Sequence, residues 1–277
     1  MLYDVIRTEE KMLAKAADRK NIDLNMICSK DLYFDLHKDY QEKFGDISLQ
    51  RCVSYFRSLH ITAFLESKGV KVVNGLHEAF TAGNKLNSTL KMINAGIPVP
   101  KTYLAFTQES SLKALEELGY PAVLKPTMGS WGRLIALMND SESAESILED
   151  REHMFPIYQN YYIQEKVKRP PRDIRAFVIG DKVVAAIYRI SAEGVWKTNT
   201  ARGGRAENYP VTNELEDLCL RAATAMGEGL FGVDLMESPD GLLVHEVNNT
   251  IEFRNTVPIT GVDIPSLMLD YLIDLKH

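Results

Sequence analysis

Gly232-Val233-Asp234-Leu235, a turn at Ser238-Pro239-Asp240-Gly241, and His245-Glu246-Val247-Asn248-Asn249 decide the reading of this chain. The outer pieces are short apolar runs and the middle one carries turn-forming residues, so the segment is expected to be a β-hairpin. Side chains alternate between faces along a strand, which puts Glu246 and Asn248 on one face. Asp234, across the turn, is expected to reach that face as well. Two carboxylates and an amide oxygen form a hard-oxygen cluster suited to Mg²⁺, above all when phosphate oxygens complete the octahedron. A plain polar hairpin edge would carry the same letters, so the decision rests on what lies upstream.

The 277 residues allow two domains, or one with an insert, and a sizeable core. Hydrophobic residues at 45% and charged residues at 25% give an ordinary globular profile. A net charge of -6 argues against a general nucleic-acid binder, although local basic patches are compatible with it. Cys28, Cys52 and Cys219 are scattered without metal-ligand spacing, as expected of buried thiols in a reducing compartment. No apolar run reaches membrane-spanning length and the N-terminal residues lack a signal-peptide profile, so a cytoplasmic protein is expected.

The first 80 residues or so alternate strand and helix. Strands are expected at 2–4, 24–28, 48–52 and 70–73, and helices at 9–20 and 58–68. This βαβ rhythm implies a small parallel sheet, with Arg7, Arg51, Ser54 and Arg57 at its strand ends, where functional groups of such sheets collect. Ordinary surface arginines are the competing reading. A helix pair around Gly83-Asn84-Lys85 follows, and then Pro98 and Pro100 impose an extended connector. Ala122-Val123-Leu124-Lys125 reads as a strand, Gly129-Ser130-Trp131-Gly132-Arg133 as a glycine-bearing loop, and 134–138 as a second strand. The tip of such a hairpin can fold over phosphates, with Lys125 at its base. Neither GxxxxGK[ST] nor GxGxxG after a strand is present.

A helix at 141–152 leads to a strand at 161–167, whose end at Gln164-Glu165-Lys166-Val167 could present backbone groups to an adenine edge. Residues 173–189 form a long hairpin turning at Gly180-Asp181, with Asp173, Arg175 and Phe177 on one face. Arg175 there suits phosphate handling, with a structural ion pair as the alternative. Lys197-Thr198-Asn199-Thr200-Ala201-Arg202-Gly203-Gly204-Arg205 is basic, glycine-rich and aperiodic, as an anion-binding loop would be. A helix at 214–226 precedes the Asp234 hairpin, and another closes the chain from Pro265.

In order, Lys85, Lys125, the glycine loop, Gln164 to Val167, Asp173-Ile174-Arg175, Asn199, Asp234 and Glu246-x-Asn248 form a series that resembles the ATP-grasp superfamily of carboxylate–amine ligases. The resemblance covers essentially the whole chain and is closest to the RimK-like branch. Within that branch it is closest to the LysX-type ligases of lysine biosynthesis. Its specific stretches are Lys125-Pro126 with Gly129-Ser130-Trp131-Gly132-Arg133, Asn199-Thr200-Ala201-Arg202-Gly203-Gly204, Glu246-Val247-Asn248-Asn249-Thr250-Ile251-Glu252-Phe253 and Thr260-Gly261-Val262-Asp263.

The resemblance implies an α/β and α+β fold: an N-terminal parallel α/β pre-ATP-grasp domain (1–76), linker helices with a small central lobe (77–160), and a C-terminal ATP-grasp lobe (161–277). It implies ATP between the lobes, adenine at Gln164, Glu165, Lys166 and Val167, phosphates at Lys85 and Lys125, and Gly129, Ser130, Trp131 and Gly132 as a lid. Asp173 and Lys197 belong to the same nucleotide site, although relatives often carry arginine where Lys197 falls. Asp234, Glu246 and Asn248 are implied to hold two Mg²⁺ ions. Arg175, Asn199 and Arg202 are the implied catalytic residues, with Arg202, Arg254, Asn255, Thr256 and Thr260 facing the amino-acid substrate.

The implied reaction joins the γ-carboxyl of the C-terminal glutamate of the acidic carrier protein LysW to the α-amino group of 2-aminoadipate through an acyl phosphate. Docking of that carrier is expected on Lys166, Lys168, Arg169 and Arg172, or on Arg202 and Arg205. A homo-oligomer, dimer or tetramer, is expected from the resemblance. ArgX-type ligases attach glutamate and typically have Gly-Phe where this chain reads Arg254-Asn255, which favours aminoadipate, with glutamate or dual specificity as the alternatives. A RimK-type ligase acting on another protein's C-terminus and an inactive ATP-binding regulator are the remaining readings. Loss of the metal ligands would mark the latter, and Asp234, Glu246 and Asn248 are all present.

Overall fold

The computed structural model describes residues 1–129, 133–192 and 204–276. The N-terminal part runs β1 (Leu2–Tyr3), α1 (Thr8–Lys20), β2 (Ile27–Cys28), α2 (Gln41–Phe44), β3 (Ile47–Leu49), α3 (Tyr55–Ser67) and β4 (Lys71–Val73). β1 pairs parallel with β2 and β3 with β4, and a parallel bridge between Leu2 and Gln50 joins the two pairs. Leu2, Ile61, Leu65, Val70 and Val72 fill the space between strands and α3. This is the expected parallel α/β unit, since short apolar strands need helices to cover them.

Two helices follow, α4 (Leu76–Ala82) and α5 (Lys85–Asn94), with Asn84 capping α5 by accepting from the Leu86 and Asn87 amides. The central lobe contains β5 (Thr102–Ala105), α6 (Gln108–Leu118), β6 (Ala122–Lys125), β7 (Ala136–Met138), α7 (Ser141–Glu152) and β8 (Tyr161–Glu165). Its strands are ordered β5-β8-β6-β7. Leu115 from α6 and Ala144 and Leu148 from α7 pack on Leu124, Tyr161 and Ile163.

Several details differ from the sequence reading, beyond shifts of a few residues at strand ends. Thr102–Ala105 is an edge strand, where the prolines had indicated only a connector. β7 starts at Ala136, not at residue 134, because Leu134 has a left-handed φ of 56° that no strand accommodates. β8 begins at the residue expected to open the C-terminal lobe, but it pairs with β5 and β6.

The C-terminal lobe comprises β9 (Arg172–Ile179), β10 (Lys182–Ile190), β11 (Arg205–Asn208), α8 (Asn213–Met226), β12 (Leu230–Ser238), β13 (Gly241–Asn248), α9 (Thr256–Thr260) and α10 (Ile264–Asp274). The antiparallel sheet has the order β11-β10-β9-β12-β13. On one face Ile174, Ala176, Val178, Val233 and Leu235 meet Leu215, Cys219, Ala222 and Met226 of α8. The other face is split along its length. Phe177, Ile179, Ile187 and Leu230 pack on Leu13 and Ala16 of α1 and on Met268 and Leu269 of α10. Beyond Phe177 that same face turns polar, because Arg175 and Asp173 follow at strand spacing. No helix among the described residues is long and apolar enough to cross a membrane.

Candidate active site

Four adjacent strands each contribute charged or polar groups to the polar half of that face. Arg189 on β10 lies opposite Asp173 on β9, Arg175 opposite Asp234 on β12, and Asp234 opposite Glu246 on β13. Cross-strand partners project to the same side of a sheet, so these five groups and Asn248 share one surface. A bulge in β13 leaves His245 without a cross-strand partner and aims it, with Glu246, toward the cavity.

The charges are tightly paired. The Arg175 guanidinium grips both oxygens of Asp234, with Nη2 2.7 Å from Oδ2. Arg189 donates to both oxygens of Asp173 at 2.7 and 2.9 Å and reaches Asp234 Oδ2 at 3.1 Å. Burial alone would raise the Asp234 pKa, but Arg175 and Arg189 outweigh it and hold the carboxyl well below its ordinary range. Burial likewise works against Arg189, and Asp234 and Asp173 override it to hold that guanidinium above its ordinary value. His245, by contrast, is kept well below the usual imidazole range by burial and then by Lys125.

Two lysines meet this surface from the linker and central lobe. Lys85 opens α5, and its amide donates to Thr127 O at 2.7 Å, docking the helix on the β6–β7 connection. Its Nζ bonds Gly129 O at 2.7 Å and lies 3.3 Å from Glu246 Oε1. Lys125 ends β6 and donates to Gln164 Oε1 at 2.6 Å, and Gln164 in turn donates to Tyr162 and Thr102. Burial lowers the Lys125 pKa to about 8, against the pull of Glu246.

A cavity of about 290 Å³ runs over these groups. Lys85, Lys125, Gly129, Asp173, Arg175, Asp234, Glu246 and Asn248 line it, and so do Arg254, Asn255 and Thr256. Gln164 touches it only through Lys125. Glu165 is tied to the connector, accepting from the Lys101 amide at 2.7 Å. The amides of Glu165 and Lys166 donate to Lys101 and Pro121 carbonyls, so a purine edge at this strand end would have to use Val167 and carbonyl oxygens. Thr260 is not among the cavity residues, and its hydroxyl caps a turn on Thr256 O at 2.9 Å. Ser130, Trp131, Gly132, Lys197, Asn199 and Arg202 lie outside the described residues.

Arg189, His245, Arg169 and Glu252 also line the cavity, and the sequence reading gave them no part in this site. Arg189 was hidden by a second bulge, near Val184, which shifts the β9–β10 register so that it falls opposite Asp173. Arg169 was placed in a docking patch, but it faces the cavity. Arg172, from the same patch, is paired with Glu237 at 2.7 Å and stacked over Tyr188.

Among the described residues no three His, Cys, Asp or Glu side chains are grouped to hold a metal ion. Asp234, Glu246 and Asn248 add an amide to two carboxylates. This hard-oxygen set could hold a magnesium ion that draws its remaining ligands from phosphate and water. Lys85 and Arg175 press against the set, and such cations suit a polyanion bound beside it.

This architecture, a parallel α/β domain followed by two lobes meeting over a cationic cavity, has relatives. A model of the RimK-like ATP-grasp domain matches residues 82–272, and a model of the LysX preATP-grasp domain matches residues 1–81. The chain belongs to the RimK-like ATP-grasp family. The alpha-aminoadipate–LysW ligase LysX of Sulfurisphaera tokodaii is 36% identical over 97% of this chain and 95% of its own length. The glutamate–LysW ligase ArgX of the same organism is 30% identical over 98% of this chain and 96% of its own. The RimK domain ATP-grasp protein of Sphaerobacter thermophilus has the same fold, with a TM-score of 0.79 at 24% identity, covering 98% of this chain and 99% of that one.

Proposed function

We propose that this chain is an ATP-dependent ligase that joins the γ-carboxyl of the C-terminal glutamate of the carrier LysW to the α-amino group of 2-aminoadipate. The observation that carries this reading is the continuity of one cavity from Lys125 and Asp234, past Arg175, to Arg254 and Thr256. A triphosphate at the lysine end and an amino acid at the other would place their reacting groups between the lobes. The higher identity to LysX than to ArgX supports aminoadipate over glutamate.

In this reading Lys85 and Lys125 bind phosphate oxygens, and the strand end at Glu165 to Val167 reads the adenine. Magnesium, two ions in the full site, would be held by Asp234, Glu246 and Asn248 and would neutralise charge on the β- and γ-phosphates. Arg175 moves from Asp234 onto the transferring phosphoryl group, where a cation counts most because the site excludes water. The carrier carboxylate takes the phosphoryl group, and the closed lobes keep water from the acyl phosphate until the amine arrives. Arg254, Asn255 and Thr256 bind the amino-acid carboxylates, with Arg202 beside the acyl phosphate. Lys166 and Lys168 are exposed, beside Arg169 in the chain, and offer an acidic carrier its first electrostatic contact.

Phosphate release from Mg-ATP with purified LysW tests the proposal, with aminoadipate and glutamate compared and the carrier's mass followed. Turnover confined to aminoadipate, with the matching mass gain, is the expected result. Equal turnover with glutamate would make this a shared ligase, and no turnover with either would remove LysW as the acceptor.

A further inference from the structure

Glu252 lines the cavity, and the carboxylates there differ in how they are engaged. Asp173 and Asp234 have side chains 2% and 3% exposed and are clamped by arginines. Glu246 is 24% exposed and belongs to the oxygen set facing Lys85. Glu252 is 35% exposed, stands off the sheet, and sits in the same segment as Arg254, Asn255 and Thr256.

Its placement is fixed from the N-terminal domain. Arg7 Nη1 bonds Glu252 Oε1 at 3.1 Å, while Arg7 Nη2 and Nε hold Glu10 at 2.7 and 3.0 Å. Arg51 bonds Glu10 Oε1 at 3.0 Å and the Ile251 carbonyl at 2.8 Å. The backbone before Glu252 and one oxygen of its side chain are thus both anchored, which leaves Oε2 as the oxygen that can face a ligand. Nearby, the Arg254 amide donates to Glu9 at 3.3 Å, and the buried Thr256 hydroxyl has no partner among the described residues. An amino acid bound here brings carboxylates, which Arg254 and Thr256 can meet, and an ammonium group, for which the segment offers one anion.

We propose that Glu252 receives the attacking amine, holding its ammonium form and accepting a proton as the amide is made. This rests on the ligase reading above. Once the ammonium has given up one proton, the freed nitrogen lone pair forms the C–N bond to the acyl carbon, and the C–O bond to phosphate breaks with its electrons leaving on phosphate. Of the two protons lost from the ammonium nitrogen, one passes to Glu252 Oε2 and on to solvent. The other leaves with the departing phosphate, released as hydrogen phosphate.

The test separates the two half-reactions with hydroxylamine, a nucleophile uncharged at neutral pH that needs no carboxylate to deprotonate it. Wild-type protein with Mg-ATP, LysW and hydroxylamine should give a carrier hydroxamate, read by mass. Glu252→Gln should still give the hydroxamate but lose amide formation with aminoadipate by roughly 10²-fold, the scale of a missing general base. Glu252→Asp should recover part of that loss. A Glu252→Gln variant that keeps amide formation, or that loses both reactions equally, overturns the assignment and leaves Glu252 a structural partner of Arg7. Wild-type protein that forms neither product removes LysW as the acceptor, and with it the LysW-ligase reading on which this assignment rests.

Discussion

Arg175 lies directly across from Asp234 on the neighbouring strand, and its guanidinium holds both carboxylate oxygens. A carboxylate so engaged, and also touched by Arg189, is already neutralised before any ligand arrives. For Asp234 to serve a cation, another anion must draw Arg175 away, and nucleotide phosphate is the group the cavity would supply. With the metal and phosphate placed as proposed, the pair would couple occupation of one position to occupation of the other.

Arg175→Met separates the two roles because they move in opposite directions. Phosphate release is expected to fall about 10²- to 10³-fold, as for loss of one preorganised donor to a developing charge. Binding of Mn²⁺ without nucleotide, followed by electron paramagnetic resonance, is expected to tighten by about tenfold, as freeing a carboxylate from one close cation would allow. Loss of both would mean that the substitution had damaged the sheet.

The site was legible in the sequence to the extent that strand parity could carry it. Glu246 and Asn248 share a face by spacing alone, and so do Asp173 and Arg175. Registers across turns were less legible. Counting back from the turn after Ser238, an unbulged hairpin would set Asp234 against His245 and send Glu246 to the other face. The bulge at His245 restores Glu246 to Asp234's side. The β9–β10 bulge likewise exchanges Tyr188 for Arg189 opposite Asp173. A bulge inserts one unpaired residue into a ladder without changing the alternation of residue types, so no local pattern announces it. The β5 edge strand escaped notice for a related reason. It is held by β8, nearly 60 residues away in sequence, and not by any signal of its own.

Lys125 gives a prediction about protons. Its pKa of about 8 reflects burial, and a bound phosphate would favour the charged form. ATP binding at pH 8 should therefore take up as much as roughly half a proton. Calorimetric titrations in buffers of different ionisation enthalpy measure this directly. Lys125→Met should abolish the uptake and weaken ATP binding, whereas persistence of the uptake would assign it to another group.

Glu10 holds Arg7 and Arg51, the two arginines that reach Glu252 and the Ile251 carbonyl of the C-terminal lobe, and its role should show in acid stability. Burial would raise its pKa, but Arg7 and Arg51 outweigh that and hold it below the ordinary value. A depressed carboxyl contributes stability that is present above its unfolded pKa of about 4.3 and is lost as pH falls through the folded value. Glu10→Gln should lower stability at pH 7 by about 3 kcal/mol, the scale for breaking one side of a buried ion pair. It should also flatten the decline below pH 4. Urea titrations across that range distinguish this from a uniform loss, which would indicate packing damage.

Gly83 joins α4 to α5, and a Cβ built there would lie 2.1 Å from the Tyr55 ring and 2.7 Å from the Ala79 carbonyl. Neither can retreat easily. Tyr55 opens α3, and its hydroxyl donates to Phe80 O at 3.3 Å, while the Ala79 carbonyl accepts the amide of Gly83 itself at 3.0 Å. Gly83→Ala should cost about 1–3 kcal/mol of stability, as overpacking does. The displaced turn also presents Lys85, two residues on, to Gly129 and Glu246. ATP affinity should therefore fall together with the melting temperature. Tyr55→Ala combined with Gly83→Ala should recover much of the affinity by removing the ring from the added methyl's path. Affinity that stays low in the double variant would show that the backbone contact with Ala79, and not the ring, sets the approach of α5.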